Sequence, residues 1–244
     1  MSRFYYDLHL HSCLSPCGDN EMTPNNIAGM GVVAQLDLMA LTDHNTCRNC
    51  PAFFAAAQRQ GIIPVAGMEL TTAEEIHVVC LFPTLEAALA FNDAVDAQRV
   101  RIPNRPEIFG EQLQMDDNDH VTGTDPCLLS NATQITVEEA PALAERFGGV
   151  CFPAHIDREA NGIVAVLGVF PETPPFSCAE MHDPANAAVY RERFPALAGK
   201  PMLVSSDAHY LWDISGREHF LELDAAPDDP DAVRAKLIER LRGR

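Results

Sequence analysis

Positive charge is what this chain has least of. Of its 244 residues only 17 are Lys or Arg, against 35 Asp or Glu, for a formal net charge of −18. The two lysines are Lys200 and Lys236. Nucleic acids and anionic membranes are themselves negative, so this balance opposes attraction to either. It predicts no grip on duplex nucleic acid and no membrane partner. Long apolar runs are also missing. The longest, 162–170, is about half the roughly 20 residues of a membrane-spanning helix. The first ten residues turn polar and His-bearing without an apolar stretch, so no secretory signal is expected. Internal repeats and low-complexity linkers are absent as well.

What is present suits a folded enzyme. Hydrophobic residues make up 47% of the chain, enough for a sizeable core and too many for a disordered segment. At roughly 150 residues per domain the length allows one or two, and a single α/β barrel of this size is common. We therefore expect one domain, 1–244. With a cytoplasmic location expected, the eight cysteines read as thiols, core residues or metal ligands rather than disulfides.

Short apolar runs at 4–9, 38–42, 62–67, 76–82, 150–154, 176–181 and 202–205 read as strands, most of them buried on both faces. Helix signals lie between them. Thr23-Pro24 gives an N-cap followed by proline in the first turn. Pro51 opens an Ala-rich helix that Gly61 closes, and Thr84 caps a helix over 85–99. Thr136 and Glu139 have capping-box spacing, although Pro141 inside that helix should distort it. Asp229-Pro230 starts a terminal amphipathic helix. Seven strands alternating with helices predict a parallel sheet, doubly wound or closed into a barrel. The irregular segment 101–135 reads as an insertion over one face, with a hairpin pairing 112–115 with 121–124 across an acidic tip.

The histidines carry the functional signal. His9, His11, His44, His155 and His209 fall at or just past the C-terminal ends of predicted strands, as do Glu69 and Asp207. His77 fits least, because it begins its run. In a parallel barrel such ends converge on one face. His-x-His at 9 and 11 places two imidazoles on one side of an extended chain, and Asp207-Ala208-His209 repeats the spacing. His120 and His219 read as ordinary surface or core residues. Imidazole with carboxylate suits Zn²⁺, Mn²⁺ or Fe²⁺. At about four to six ligands per ion the set is too large for one metal, so two to three divalent ions are expected.

Asp7-Leu8-His9-Leu10-His11-Ser12, Thr42-Asp43-His44-Asn45, Gly67-Met68-Glu69, Pro153-Ala154-His155 and Ser206-Asp207-Ala208-His209 resemble the ordered motifs of the PHP (polymerase and histidinol phosphatase) family. The resemblance implies a distorted (β/α)7 TIM-like barrel and metal-dependent phosphoester hydrolysis, of a monoester or a diester. It assigns His9, His11, Glu69 and Asp207 to one ion, and Glu69, His77 and His155 to a second. His44 and His209 would hold a third, with a residue of the first loop. The family places His or Asp there, and this chain has Cys17. Either its thiolate serves, or Asp19 substitutes, or the site is binuclear. Cys47 and Cys50, with Cys13 and Cys17, raise the further option of a Cys-bound zinc or iron–sulfur site. Cys80, Cys151 and Cys178 sit within apolar strands and read as core.

Water held across Glu69 would be activated by the ions for attack on phosphorus, with Glu69 and Asp207 as the catalytic carboxylates. Arg158 is the candidate phosphate fork, and His182 a candidate for substrate contact. Asp43 is expected to support His44 or its loop from behind. The expected partner is a small or nucleotide-like phosphorylated substrate. Two other readings compete. An amidohydrolase-like C–N hydrolase commonly uses a carboxylated lysine, and neither lysine is well placed. A non-catalytic metal- or redox-responsive module would be built on the cysteines.

Overall fold

Side chains alternate between the two faces of a strand, and here the faces serve two separate apolar clusters. The computed structural model describes residues 1–243. Its strands are β1 (Ser2–Leu10), β2 (Leu38–Leu41), β3 (Ile63–Thr71), β4 (His77–Phe82), β5 (Leu113–Met115), β6 (Val121–Thr124), β7 (Val150–Pro153), β8 (Ala179–Met181), β9 (Met202–Val204) and β10 (Phe220–Leu223). The helices are α1 (Pro24–Val33), α2 (Cys50–Arg59), α3 (Leu85–Asp96), α4 (Pro106–Phe109), α5 (Ala140–Arg146), α6 (Ile163–Leu167), α7 (Ala187–Arg193) and α8 (Pro230–Leu241).

Hydrogen bonds join β10-β1-β2-β3-β4-β7 into one sheet and β8 with β9 into another. A bridge from Leu10 to Ala208 ties the segment after β9 back to β1. The seven expected strands thus curl into a distorted (β/α)7 barrel, with β10 laid antiparallel on β1. The sheet is not wholly parallel, contrary to expectation. β4 runs antiparallel to both β3 and β7, because the link from Thr71 to His77 is too short for the crossover a parallel pair needs. That reversal brings His77, the first residue of β4, to the rim where its neighbours end. β10 was not expected: only Leu223 of its four residues is buried, and Glu222 interrupts its apolar residues.

The inner cluster takes alternate residues from strand after strand: Phe4, Tyr6 and Leu8, then Leu38 and Ala40, Ile63 and Val65, Val79 and Leu81, Phe152, and Leu203. Val233, Leu237 and Leu241 of α8 join it. The outer cluster takes the intervening residues, such as Met39, Leu41, Met68 and Cys80, with side chains of α1, α2, α3 and α5. Both faces are buried, as near-continuous apolar strands require.

The helix caps agree with the sequence. Thr23, Thr84 and Asp229 accept from Asn26 N, Ala87 N and Ala232 N. Thr136 and Glu139 exchange the two bonds of a capping box. Pro141 does not distort α5, because the helix begins only at Ala140 and a first-turn proline gives up no helical hydrogen bond. Within the insertion β5 and β6 pair as expected. Asp125, beyond the hairpin, accepts from Arg99 at 2.8 and 3.2 Å and from Arg48 at 2.9 Å. This clasps the insertion to the end of α3 and to the loop before α2.

Candidate metal centre

The barrel's own register aims most of the site. Two-residue steps from Ile63 and Val65 lead to Glu69, a step back from Val79 leads to His77, and a step on from Cys178 leads to Glu180. In β1 the pairing register shifts between Asp7 and Leu10. Before the shift Leu8 belongs to the inner cluster, and after it Leu10 belongs to the outer one. This irregularity gives the inward face to His9 and His11. His155 and Asp207 have positive φ, 27° and 53°. Such backbone is strained in residues other than glycine and gathers at functional sites.

Glu69 lies at the centre, its side chain 1% exposed. Five imidazoles surround its two oxygens. His77 Nδ1, His155 Nε2 and His9 Nε2 stand 2.8, 3.1 and 3.3 Å from Oε1. His44 Nδ1 and His11 Nε2 stand 3.0 and 3.2 Å from Oε2. Asp207 Oδ1 lies 3.0 Å from His11 Nε2 and 3.3 Å from His9 Nε2. Three overlapping groups emerge whose ligand atoms lie within 4.8 Å of one another: His9, His11, Glu69 and Asp207; His44, Glu69 and His77; and His11, His44 and His209. His44 therefore belongs to the second set as well as the third, in the place expected of His155, which stands 3.1 Å from Glu69 Oε1 but outside all three sets.

The outward ring nitrogens show which way the rings are turned. Ser15 Oγ donates its one hydrogen to Asp43 Oδ1, so its 2.9 Å contact with His11 Nδ1 has the imidazole donating. The same oxygen accepts from His44 N at 3.1 Å. His9 Nδ1 donates to Glu180 Oε1 at 2.9 Å, and His209 Nδ1 to the Asp207 carbonyl at 2.8 Å. In the neutral form of each ring this leaves the Nε2 lone pair for an ion, the arrangement by which an outer partner sets a metal ligand's tautomer. Asp43 touches the first loop rather than the His44 ring. It accepts from Ser12 N, Ser12 Oγ and Ser15 Oγ at 2.7, 2.6 and 2.7 Å.

The remaining candidates fall in different places. Arg158 lines a cavity of ≈ 330 Å³ at the rim with Glu69, His77, His155, Asn161 and His209, and its guanidinium donates to Asp207 Oδ2. His182 does not line that cavity; its backbone N–H is held by Asp157 and the residue is exposed. Cys17 is exposed, and its thiol lies against the His44 and His209 rings. Asp19 instead turns its carboxylate to Glu21 N, at 2.8 Å. Cys47 and Cys50 are buried, both facing the Gly67 carbonyl, while Cys13 faces the Leu113 carbonyl. Among the described residues no cysteine joins a ligand group. Lys200 holds the Phe176 carbonyl and Lys236 pairs with Glu239 on α8, so neither reaches the cluster. Sequence reasoning passed over Glu180, whose buried carboxylate accepts from His9 Nδ1. Its signal was the two-residue step from buried Cys178.

Burial opposes every charge in the centre, and at Glu69, Asp207 and His9 the neighbours overcome it. Glu69 would be pushed up by desolvation, but His77, His9 and His44 hold it well below the usual carboxylate range. Asp207 is likewise lowered, against burial, by His9 and His11. His9 would be pushed down by burial, yet Glu180, Glu69 and Asp207 hold it well above its ordinary value. Burial wins at His77, which is lowered. Desolvation raises the Cys17 thiol, and the His44 charge with bonds from His209 and His44 brings it down to about 5. The acids are thus in their ligating form near neutral pH.

Known proteins share this fold. A family profile described as PHP domain matches residues 7–148. The 5'-3' exoribonuclease Rnm of Salmonella typhimurium is 31% identical over 114 residues, 45% of this chain and 38% of that protein. The lesion-specific endonuclease PfuEndoQ from Pyrococcus furiosus superposes with a TM-score of 0.67 at 17% identity, over 99% of this chain and 56% of that one. A Bifidobacterium adolescentis protein described as a metal-dependent phosphoesterase gives 0.59 at 17% identity, over 95% of each chain. The chain thus spans little more than half of the endonuclease, and the matched segment less than half of the exoribonuclease.

One expectation is overturned here. Endonuclease Q has been solved in complex with a 27-mer duplex substrate bearing an abasic lesion at the active site, and that structure shares this fold with a TM-score of 0.59 at 18% identity, over 86% of this chain and 50% of that one. The acidic balance therefore does not exclude a nucleic-acid partner. A net charge summed over the surface is screened within roughly 10 Å, and it does not set the field at a mouth that carries Arg158 and ligands for cations. PHP domain enzymes are metal-dependent hydrolases of phosphoester bonds, and with the profile matched over more than half of its length this chain belongs to the PHP domain family.

Proposed function

We propose that this chain hydrolyses phosphoester bonds in a nucleotide-bearing substrate, using two to three divalent ions held by the Glu69 cluster. The observation that carries the reading is the crowding of five imidazole nitrogens around one buried carboxylate. A carboxylate has about four lone-pair positions, so it cannot serve five donors, and His44 Nδ1 and Glu69 Oε2, 3.0 Å apart, make no hydrogen bond. Inward lone pairs with acids in ligating form fit cations better than they fit one another. Imidazole and carboxylate suit Zn²⁺, Mn²⁺ or Fe²⁺, and a Cys17 thiolate beside His44 and His209 favours Zn²⁺ or Fe²⁺.

Bound there, the ions supply Lewis acidity towards phosphoryl oxygens and activation of water. The chain does the rest. Glu69 holds two ligand groups in register, and Asp207 completes the first. Arg158, half-exposed, exchanges its bond to Asp207 for a fork on the phosphoryl oxygens, where guanidinium geometry is bidentate. Tyr210 follows His209, Trp212 lies two residues beyond it, and they are 55% and 85% exposed. Exposed aromatics carried on the segment that holds His209 suit a stacked base, worth about 1–3 kcal/mol. The nucleases among the similar proteins support the same substrate class. Eight free thiols fit a reducing, cytoplasmic compartment.

The test is phosphate or nucleotide release from an aryl phosphate and from a short oligonucleotide, with the Zn²⁺-, Mn²⁺- and Fe²⁺-loaded protein. Release that chelation abolishes is expected; ion-loaded protein inert on both sinks the reading. Trp212 is the sole tryptophan, so its fluorescence reports one place. Quenching by the oligonucleotide under chelating conditions is expected, and an unchanged spectrum removes the base contact.

A further inference from the structure

A buried carboxylate costs several kcal/mol of desolvation unless its partners repay it, and Glu180 is one that the ligand groups do not use. Its side chain is 1% exposed. Oε1 accepts from His9 Nδ1 at 2.9 Å and from the backbone N–H of His155 at 3.1 Å. Its own carbonyl accepts from Ile156 N at 2.9 Å. Oε2 has no partner. Glu180 therefore grips the His155–Ile156 turn by side chain and main chain together, at the point where φ of His155 is 27°.

One oxygen atom thus reaches two would-be ligands from distant parts of the sequence. At His9 it fixes the proton on Nδ1 and leaves Nε2 facing Glu69 and Asp207. At His155 it holds the strained backbone that carries Nε2 to Glu69 Oε1. We propose that Glu180 is a positioning residue that couples His9 of the first ligand group to His155, the ligand expected for the second ion, so that both sites are built or lost together. This rests on the metal-centre reading above. The third group stands apart from it, since His11 is set by Ser15, His209 by the Asp207 carbonyl, and neither touches Glu180.

Two substitutions separate positioning from bulk stability. Glu180→Gln keeps an amide oxygen for both donors, whereas Glu180→Ala removes it. Zinc stoichiometry and affinity, measured by competition with a chromophoric chelator, should show Glu180→Ala losing about 10–100-fold at two sites together, the range seen when an outer partner of a metal ligand is removed. The third site should keep its affinity, and Glu180→Gln should recover most of the loss. Nitrogen-15 NMR of the zinc-loaded protein should report His9 as the Nδ1–H tautomer in the wild type and in Glu180→Gln. Unchanged affinities in Glu180→Ala, loss at one site only, or Glu180→Gln as damaged as Glu180→Ala would each overturn the proposal. Wild-type protein that binds no zinc would instead sink the metal-centre reading beneath it.

Discussion

Replacing Asp43 by alanine should loosen the site without touching any ligand. The carboxylate is 1% exposed and accepts three short bonds from Ser12 and Ser15. A hydrogen bond to a charged group contributes roughly 1.5–3 kcal/mol, and a stranded buried donor costs about 1–3 kcal/mol. The two hydroxyls can turn to other acceptors, but Ser12 N cannot, so we expect a net loss of about 3–5 kcal/mol. Near 2.1 cal/mol/K per residue, a chain of this length loses about 2 °C of Tm per kcal/mol, which gives a fall of roughly 6–10 °C. The same change frees Ser15 Oγ, which orients His11 and accepts from His44 N, so zinc affinity at the His11–His44–His209 group should fall by about 10–100-fold. Calorimetry and chelator competition read the two effects. Asp43→Ala with a Tm within a degree or so of the wild type and unaltered zinc binding would refute the reasoning.

Three further outcomes rest on the same geometry. Glu69 belongs to two of the three ligand groups, so Glu69→Gln should leave at most one tightly held ion per chain by elemental analysis, and abolish turnover; full metal content would remove Glu69 from the centre. Cobalt-loaded protein should show a near-ultraviolet thiolate-to-metal band that Cys17→Ser loses, and a spectrum indifferent to that change would leave the third group to the imidazoles alone. Asp125 is held below the usual carboxylate range, against burial, by Arg99. Its folded pKa is depressed, so its stabilisation is complete above about pH 4 and lost as pH falls through the folded value. Asp125→Asn should thus cost about 3 kcal/mol at neutral pH, where it strands buried Arg99, with the gap closing in acid; a gap independent of pH would contradict the pairing.

The seven barrel strands and the gathering of the histidines and acids were legible because a barrel converts sequence position into place: residues past strand ends meet at the rim. His77 looked misplaced only because a parallel β4 was assumed, although even the eight residues between the expected runs 62–67 and 76–82 are too few for a parallel crossover. Glu180 was hidden for a different reason. It lies among other polar residues in Glu180-Met181-His182-Asp183, and only the inward register of Cys178 marks it, which a three-residue strand barely reveals. Glu180 reaches His9 and His155, while His182 is exposed and lies outside the cavity lining. The cysteine spacing misled in the opposite sense. Cys-x-x-Cys at 47 and 50 leads into α2, whose start buries both thiols beneath Gly67. Net charge misled as well, since a property of the whole surface says little about the mouth.

The most direct test of a Glu69-centred metal centre is anomalous diffraction from crystals soaked in zinc, recorded on both sides of the zinc absorption edge. Two or three peaks within bonding distance of Glu69, Asp207 and the inward imidazoles are predicted. A map with Glu69 still wrapped in bare imidazoles and no anomalous signal among them would contradict the account.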